Sequence, residues 1–234
     1  MTEFDPARFS HYISSGRWEF ARQAVTANIA KCGPASHYFY NRGVCSLALG
    51  EVERAQQDFQ SACEVAPDVS ANSIMLGVAM WWGGSHGGAV GAWKSALDAK
   101  WVDAAGGVEG PAMLFFASKR RPGIFPKERS LALLRERWSP RLVKIWPGPI
   151  AGFLLGEMDH DTFLVRQTFA NSILEEKRLC QAHFWVATSL LGQLGAEHYA
   201  EHLRASIKPT QHNVAIFKAE YWLARAELEP LTTT

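Results

Sequence analysis

The 234-residue sequence is poor in cysteine, nearly without net charge, and has no long apolar run. Its four cysteines, Cys32, Cys45, Cys63 and Cys180, are unevenly spaced and never form a CxxC pair. That argues against a disulfide framework or a zinc module and predicts small buried thiols in a reducing compartment. The 24 Lys+Arg and 23 Asp+Glu leave a net charge of +1, with no excess to hold a broad nucleic-acid or anionic-membrane surface. The most apolar stretch, Ile145 to Leu155, is interrupted by Pro147 and Pro149 and falls short of the ~18–20 residues that cross a bilayer. The opening residues, Met1 to Pro6, show neither the basic nor the apolar region of a secretory leader. The expectation is a cytoplasmic chain with no membrane insertion.

What is present is ordinary for a globular protein: 47% apolar and 20% charged residues. A chain of this length can bury about 70% of its unfolded surface without staples, so no metal or cofactor is called for. The informative feature is self-similarity at a spacing of 34. Gly43 recurs as Gly77, Gly50 as Gly84, Ala55 as Ala89, Ala62 as Ala96, and Phe59 as Trp93. One step back, Gly50 maps to Gly16, Ala55 to Ala21 and Phe59 to Val25.

The run Tyr40-Asn41-Arg42-Gly43, then Leu47 to Gly50, Ala55, Phe59, Ala62 and Pro67 resembles the tetratricopeptide repeat (TPR). Small Gly43 and Ala55 let two antiparallel helices approach, Phe59 fills the gap to the next hairpin, and Pro67 stops the second helix. The resemblance implies an all-α, TPR-like helical-hairpin superhelix, a solenoid, with three hairpins over residues 1–103. Trp101 stands where Pro67 stood, a departure from the pattern. Residues 104–179 lose the register but keep the helical period, over Ala112 to Lys119, Ser130 to Trp138 and Ile150 to Gly156, and are read as an irregular helical segment. Prolines 122, 126, 140, 147 and 149 punctuate it. Residues 180–234 are read as one more hairpin, ending near Pro209, and a capping helix over Val214 to Leu228. The whole is expected to form one continuous body. The half from about residue 130 to 228 is also loosely similar to TPR-containing bacterial outer-membrane lipoproteins that act as adaptors, without their lipidation signal. The stretch from Ala92 to Glu109 faintly resembles TPR-type proteins found beside secreted toxins.

Candidate chemistry is sparse. Glu157, Asp159 and Asp161 flank His160; adjacent residues diverge on a helix, so Asp159 reads better as a helix N-cap than as a metal ligand. His198 and His202 share a helical face at i, i+4, a loose relative of HExxH, and read mainly as exposed. Gly83-Gly84-Ser85-His86-Gly87 satisfies GxSxG, but a nucleophile elbow needs a strand before and a helix after, and here the run joins two helices. The glycines at 83–88 and 106–110 lack the strand that a phosphate loop requires. An enzyme reading therefore rests on Ser85 or on His198 and His202, and no catalytic residue or metal is assigned.

A TPR surface implies a groove lined by the first helix of each repeat. Those residues are His37, Tyr40, Asn41, Val44 and Leu47, then Ile74, Val78, Trp81 and Trp82, with at least one of the two tryptophans buried. Tyr40 and Val44 replace the Lys and Asn with which related domains clamp a C-terminal carboxylate. The aromatic, weakly charged groove favours a hydrophobic or helical protein segment. The expected function is non-enzymatic protein binding, as a bacterial immunity protein that neutralises a cognate toxin or as a cytoplasmic adaptor. Glu157, Asp159 and Asp161 serve as an acidic contact patch, and Glu51, Glu53 and Asp58 as a second choice. Nucleic acid is not expected as a partner.

Overall fold

The computed structural model describes residues 5–139, 141, 144–165, 172–192, 195–208 and 210–232. Pro140 and Pro209 lie outside the described residues. The described chain is all-helical, with one isolated parallel bridge, Val69 to Trp101, as its extended pairing. The helices are α1 (Pro6–Ser14), α2 (Trp18–Cys32), α3 (Ser36–Ala48), α4 (Val52–Val65), α5 (Ser70–Trp82), α6 (His86–Ser95), α7 (Glu109–Arg120), α8 (Lys127–Arg137), α9 (Gly148–Leu154), α10 (His160–Val165), α11 (Ser172–Leu190), α12 (Ala196–Ser206) and α13 (Ala219–Thr232). A 3₁₀ turn, Val214–Phe217, precedes α13. Each helix packs on its neighbour in the chain, and α2, α4 and α6 carry the packing on to α3, α5 and α7.

The 34-residue spacing has a direct counterpart in backbone geometry. Gly16, Gly50 and Gly84 end α1, α3 and α5 in the left-handed region, at φ of 68°, 77° and 83°. The next N–H turns back to a carbonyl five residues earlier: Arg17 to Tyr12 at 2.8 Å, Glu51 to Ser46 at 2.9 Å, Ser85 to Met80 at 2.8 Å. A side chain would strain this helix ending, which is why glycine recurs there. Ala21, Ala55 and Ala89 are fully buried, as are Val25, Phe59 and Trp93 at the gap-filling position. A Cβ on Gly43 would lie 2.8 Å from the Phe59 ring, and one on Gly77 would overlap the indole of Trp93. The large ring and the missing side chain are two halves of one contact, repeated.

Trp101, the departure from the repeat, ties the end of the third hairpin to its start. Its N–H donates to the Asp68 carbonyl at 2.8 Å, and its carbonyl accepts from Ser70 N–H at 2.9 Å. The indole itself is 64% exposed. Beyond it, Asp103 organises the loop into α7 by accepting from the N–H groups of Ala105, Gly107 and Glu109 at 2.9, 3.1 and 2.9 Å.

The middle segment also folds as helix pairs. α7 packs on α8, and the short α9 packs on α10 around Gly156, whose left-handed turn repeats the Glu157 to Gly152 return bond at 2.9 Å. One contiguous core of buried side chains runs from Phe9 to Leu228. Helix α5 is buried nearly all round, as expected of a helix contacted by α4, α6, α7 and α13. No described helix is long and apolar enough to cross a membrane. Cys45 and Cys180 are buried, Cys63 is half-buried and Cys32 is exposed, which corrects the expectation of four buried thiols. Burial pushes the Cys45 and Cys180 thiols up to about 12, so both stay protonated.

Candidate functional site

The face shared by α1, α3 and α5 is the one the repeat pattern assigns to a partner. In the structure the chain's own last segment runs along it. Asn213, itself left-handed at φ 51°, donates its amide to the Ser14 carbonyl at 3.1 Å, at the end of α1. Tyr40 on α3 donates its hydroxyl to the Phe217 carbonyl at 3.0 Å. On α5, Trp81 Nε1 meets Glu227 at 3.5 Å and Trp82 Nε1 donates to Glu229 at 2.9 Å. Trp82 also stacks on Trp222 with ring centroids 6.0 Å apart, and the Arg225 guanidinium lies over both rings at 5.5 Å. Three successive hairpins are thus bonded in order by one strap of about 17 residues, Asn213 to Glu229.

This arrangement corrects the picture of an open groove. Val44, Leu47, Ile74, Val78 and Trp81 are buried, Tyr40, Asn41 and Trp82 are half-buried, and His37 is exposed. The physical reason is that an aromatic, weakly charged face is costly to leave wet, and α13 brings Trp222, Leu223 and Ala224 to cover apolar surface. Helix α13 packs on α5 as well as on α11 and α12, so it fills the inner face in addition to capping the last hairpin.

Two ionic nodes seat the strap, and neither stands out in the sequence. In the first, Glu220 is fully buried and one of its carboxylate oxygens accepts from Gln181 Nε2 at 2.8 Å and Trp185 Nε1 at 2.9 Å. The Gln181 carbonyl accepts from Trp146 Nε1 at 2.7 Å, and Lys218 Nζ donates to Glu109 at 3.2 Å. Burial, reinforced by Glu109, raises the Glu220 carboxyl above the usual range. Glu109, then Glu220, hold the Lys218 ammonium above its own, against the opposing effect of burial. In the second node, Glu227 gathers Tyr199 Oη at 3.1 Å, Arg120 Nε and the Trp81 indole. The donors at both nodes are spent on the chain's own carboxylates. Chemically this is a lock that satisfies buried charge, not a set of groups poised on an open cavity. The signal that would have found it is an i, i+7 pair of glutamates, Glu220 and Glu227, on the apolar face of the last helix.

The remaining sequence candidates fall apart spatially. Ser85 sits between two helices, at the N-terminus of α6, with Gly84 in the left-handed turn described above. The glycines at 106 and 107 form a loop whose N–H groups are already taken: Gly107 and the preceding Ala105 donate to the Asp103 carboxylate, in the place an anion would occupy, and Gly106 donates to the Asp103 backbone carbonyl at 3.0 Å. His198 is exposed, whereas His202 turns inward to His183, Nδ1 to Nδ1 at 3.0 Å, with the His160 ring edge-on at 5.6 Å. The i, i+4 pair therefore does not converge. Among the described residues no group of three His, Cys, Asp or Glu side chains is placed to hold a metal ion.

Asp159 caps α10, accepting from the Thr162 N–H at 2.8 Å and hydroxyl at 2.7 Å, and these bonds hold its carboxyl below the usual range. Glu157 lies 3.6 Å from Arg135, and Asp161 points to solvent beside His160. Glu157 and Asp159 share a hollow of about 300 Å³ with Trp138 and Met158, while Asp161 stands outside it. Glu51 is held between Arg22 and Arg54, and Asp58 takes both Nε and Nη2 of Arg42 at 2.9 and 2.7 Å.

No family model matches this chain, and no curated protein matches it. Its functional reading therefore rests on its own residues.

Proposed function

We propose that this chain is a non-enzymatic protein-binding module of TPR-like hairpins, stacked as a solenoid. In this reading it acts in the cytoplasm, either as an immunity protein for a cognate toxin or as an adaptor. The observation that carries the reading is the threefold recurrence of one hairpin geometry: left-handed glycines 16, 50 and 84, with buried residues 25, 59 and 93 at the matching gap. Repeats of this kind build extended surfaces from stacked units and are used to hold other proteins. A second support is that two strongly perturbed side chains, Glu220 and Lys218, are bonded within the strap's own node.

Because the strap covers the inner face, the partner is assigned to surfaces that the strap leaves open. The test is affinity capture with the full chain as bait in its native host, followed by calorimetry on the strongest hit. One protein bound tightly and specifically supports the reading, and a toxic enzyme encoded nearby favours immunity over adaptor. Absence of any saturable protein partner, together with turnover of a general esterase or phosphatase substrate by the purified chain, overturns it.

A further inference from the structure

The net charge of +1 conceals a strong local asymmetry. Residues 119–144 hold nine Lys or Arg against two Glu, so the rest of the chain is net negative. These residues span the end of α7, the turn into α8, α8 itself and the approach to α9. Part of this charge is engaged: Arg120 with Glu227, Arg135 with Glu157, and Arg137 with the Gly106 carbonyl at 3.2 Å. Arg121 and Lys127, which bracket the turn, are exposed and make no ion pair with a described residue.

Between them the turn frames a hollow of about 490 Å³, lined by Lys119, Pro122, Phe125, Lys127, Glu128 and Leu191. Lys119 donates to the Leu191 carbonyl at 3.0 Å, and burial with the nearby Lys127 charge lowers its pKa. Arg121 and Arg120 act in the same direction on His86, whose pKa is lowered chiefly by burial. Lys119 and Lys127 line the hollow against a single carboxylate, Glu128. Prolines 122 and 126 restrict the turn, so little order is lost on binding, and Phe125 supplies an aromatic wall.

We propose that the α7–α8 turn is the docking surface for an acidic segment of a partner protein, with an apolar side chain of that segment seated against Phe125 and Leu191 and its carboxylates meeting Lys127 at the hollow and Arg121 at the start of the turn. The proposal rests on the protein-binding reading above and assigns its place and its partner's chemistry. Unpaired positive charge calls for an anionic partner and speeds its encounter. The apolar walls and the Glu128 carboxylate at the rim favour a mixed peptide over a nucleic-acid backbone, which gains most from an uninterrupted basic track.

The test uses the full chain and fluorescence anisotropy. The probes are a labelled peptide of Glu, Asp and Phe, the same peptide with Lys for each acid, and an oligouridine. The acidic peptide should bind saturably, weaken as salt is raised, and lose about tenfold or more in affinity to Arg121→Glu/Lys127→Glu. Both side chains are exposed, so the helical circular-dichroism signal should not change. Arg121→Gln/Lys127→Gln serves as the milder variant should the reversal disturb the fold, and Phe125→Ala should weaken the peptide without altering its salt dependence. Equal binding of the acidic and basic peptides, or tighter binding of oligouridine, overturns the proposal. If the charge-reversed chain still captures the native protein partner unchanged, this surface is wrong while the protein-binding reading stands. If neither peptide nor any protein binds, both fail.

Discussion

The hydroxyl of Tyr40 donates to the backbone carbonyl of Phe217 at 3.0 Å, across 177 positions of sequence. That bond places the second hairpin against the segment leading into the last helix. It turns a side chain expected to greet a partner into an internal tie. Tyr40→Phe keeps the ring on Phe59, whose centroid is 5.7 Å away, and removes the donor. Its expected cost is about 1 kcal/mol, the net worth of a hydrogen bond whose acceptor is left unsatisfied, read by urea denaturation. An unchanged midpoint would mean that water replaces the hydroxyl and that the strap is held elsewhere.

Gly77→Ala tests the repeated glycine–ring contact. An alanine gains about 1 kcal/mol of helix propensity, yet its Cβ would overlap the Trp93 indole, whose Nε1 is fixed to the Ile74 carbonyl at 3.1 Å. Overpacking of about 1–3 kcal/mol should win, giving net destabilisation. Gly77→Ala in a Trp93→Phe background should be milder than in the parent. Additive losses in the double variant would show that the two positions are not one contact.

Glu220→Gln and Glu220→Ala should separate charge from hydrogen bonding. The raised carboxyl of the folded chain retains its proton to higher pH than the unfolded chain does, so its contribution is lost as pH rises through the folded value. Glu220→Gln keeps an acceptor for Gln181 and Trp185 and should match or exceed the parent at neutral pH. Glu220→Ala leaves both donors buried without a partner and should cost about 1–3 kcal/mol. The comparison is thermal unfolding of the three proteins at several pH values. A Gln variant as unstable as the Ala variant would mean that the charge itself is required.

His183 sets an acid limit. Burial, with His202 and His160 nearby, lowers its pKa from 6.5 to about 4. Between those values the unfolded chain takes up a proton that the folded chain refuses, so stability falls as pH is lowered through that window. His183→Gln should flatten the urea midpoint against pH there, by a modest amount because the ring is partly solvated. A slope equal to that of the parent would assign the acid sensitivity to other groups.

How much of this was legible beforehand differs from element to element. The three N-terminal hairpin turns could be read because each depends on a local requirement: a left-handed residue, a small residue at a close approach, a ring in the gap. Asp159 as a cap was legible for the same reason, since a cap is decided within four residues. The destination of Tyr40, Trp81 and Trp82 was not. Periodicity says that a face is apolar and is silent on whether it meets another chain or the same one. The separation of His198 from His202 was hidden too, because helical spacing aligns two side chains on one helix and carries no information about what the next helix offers.

By itself, then, the sequence determined the local units: helices, their stops, and the 34-residue recurrence that makes successive hairpins alike. Short-range sterics of glycine, proline and packed rings decide these, and short-range sterics are written in neighbouring residues. Only the tertiary structure decided that the last segment returns over α1, α3 and α5, that Glu220 is buried beside the half-buried Lys218 and Glu109, and that Lys127 lines one hollow with Lys119 and Leu191. Those outcomes turn on contacts between residues far apart in the chain, where the cost of burying charge and the gain from covering apolar surface are balanced across the whole fold.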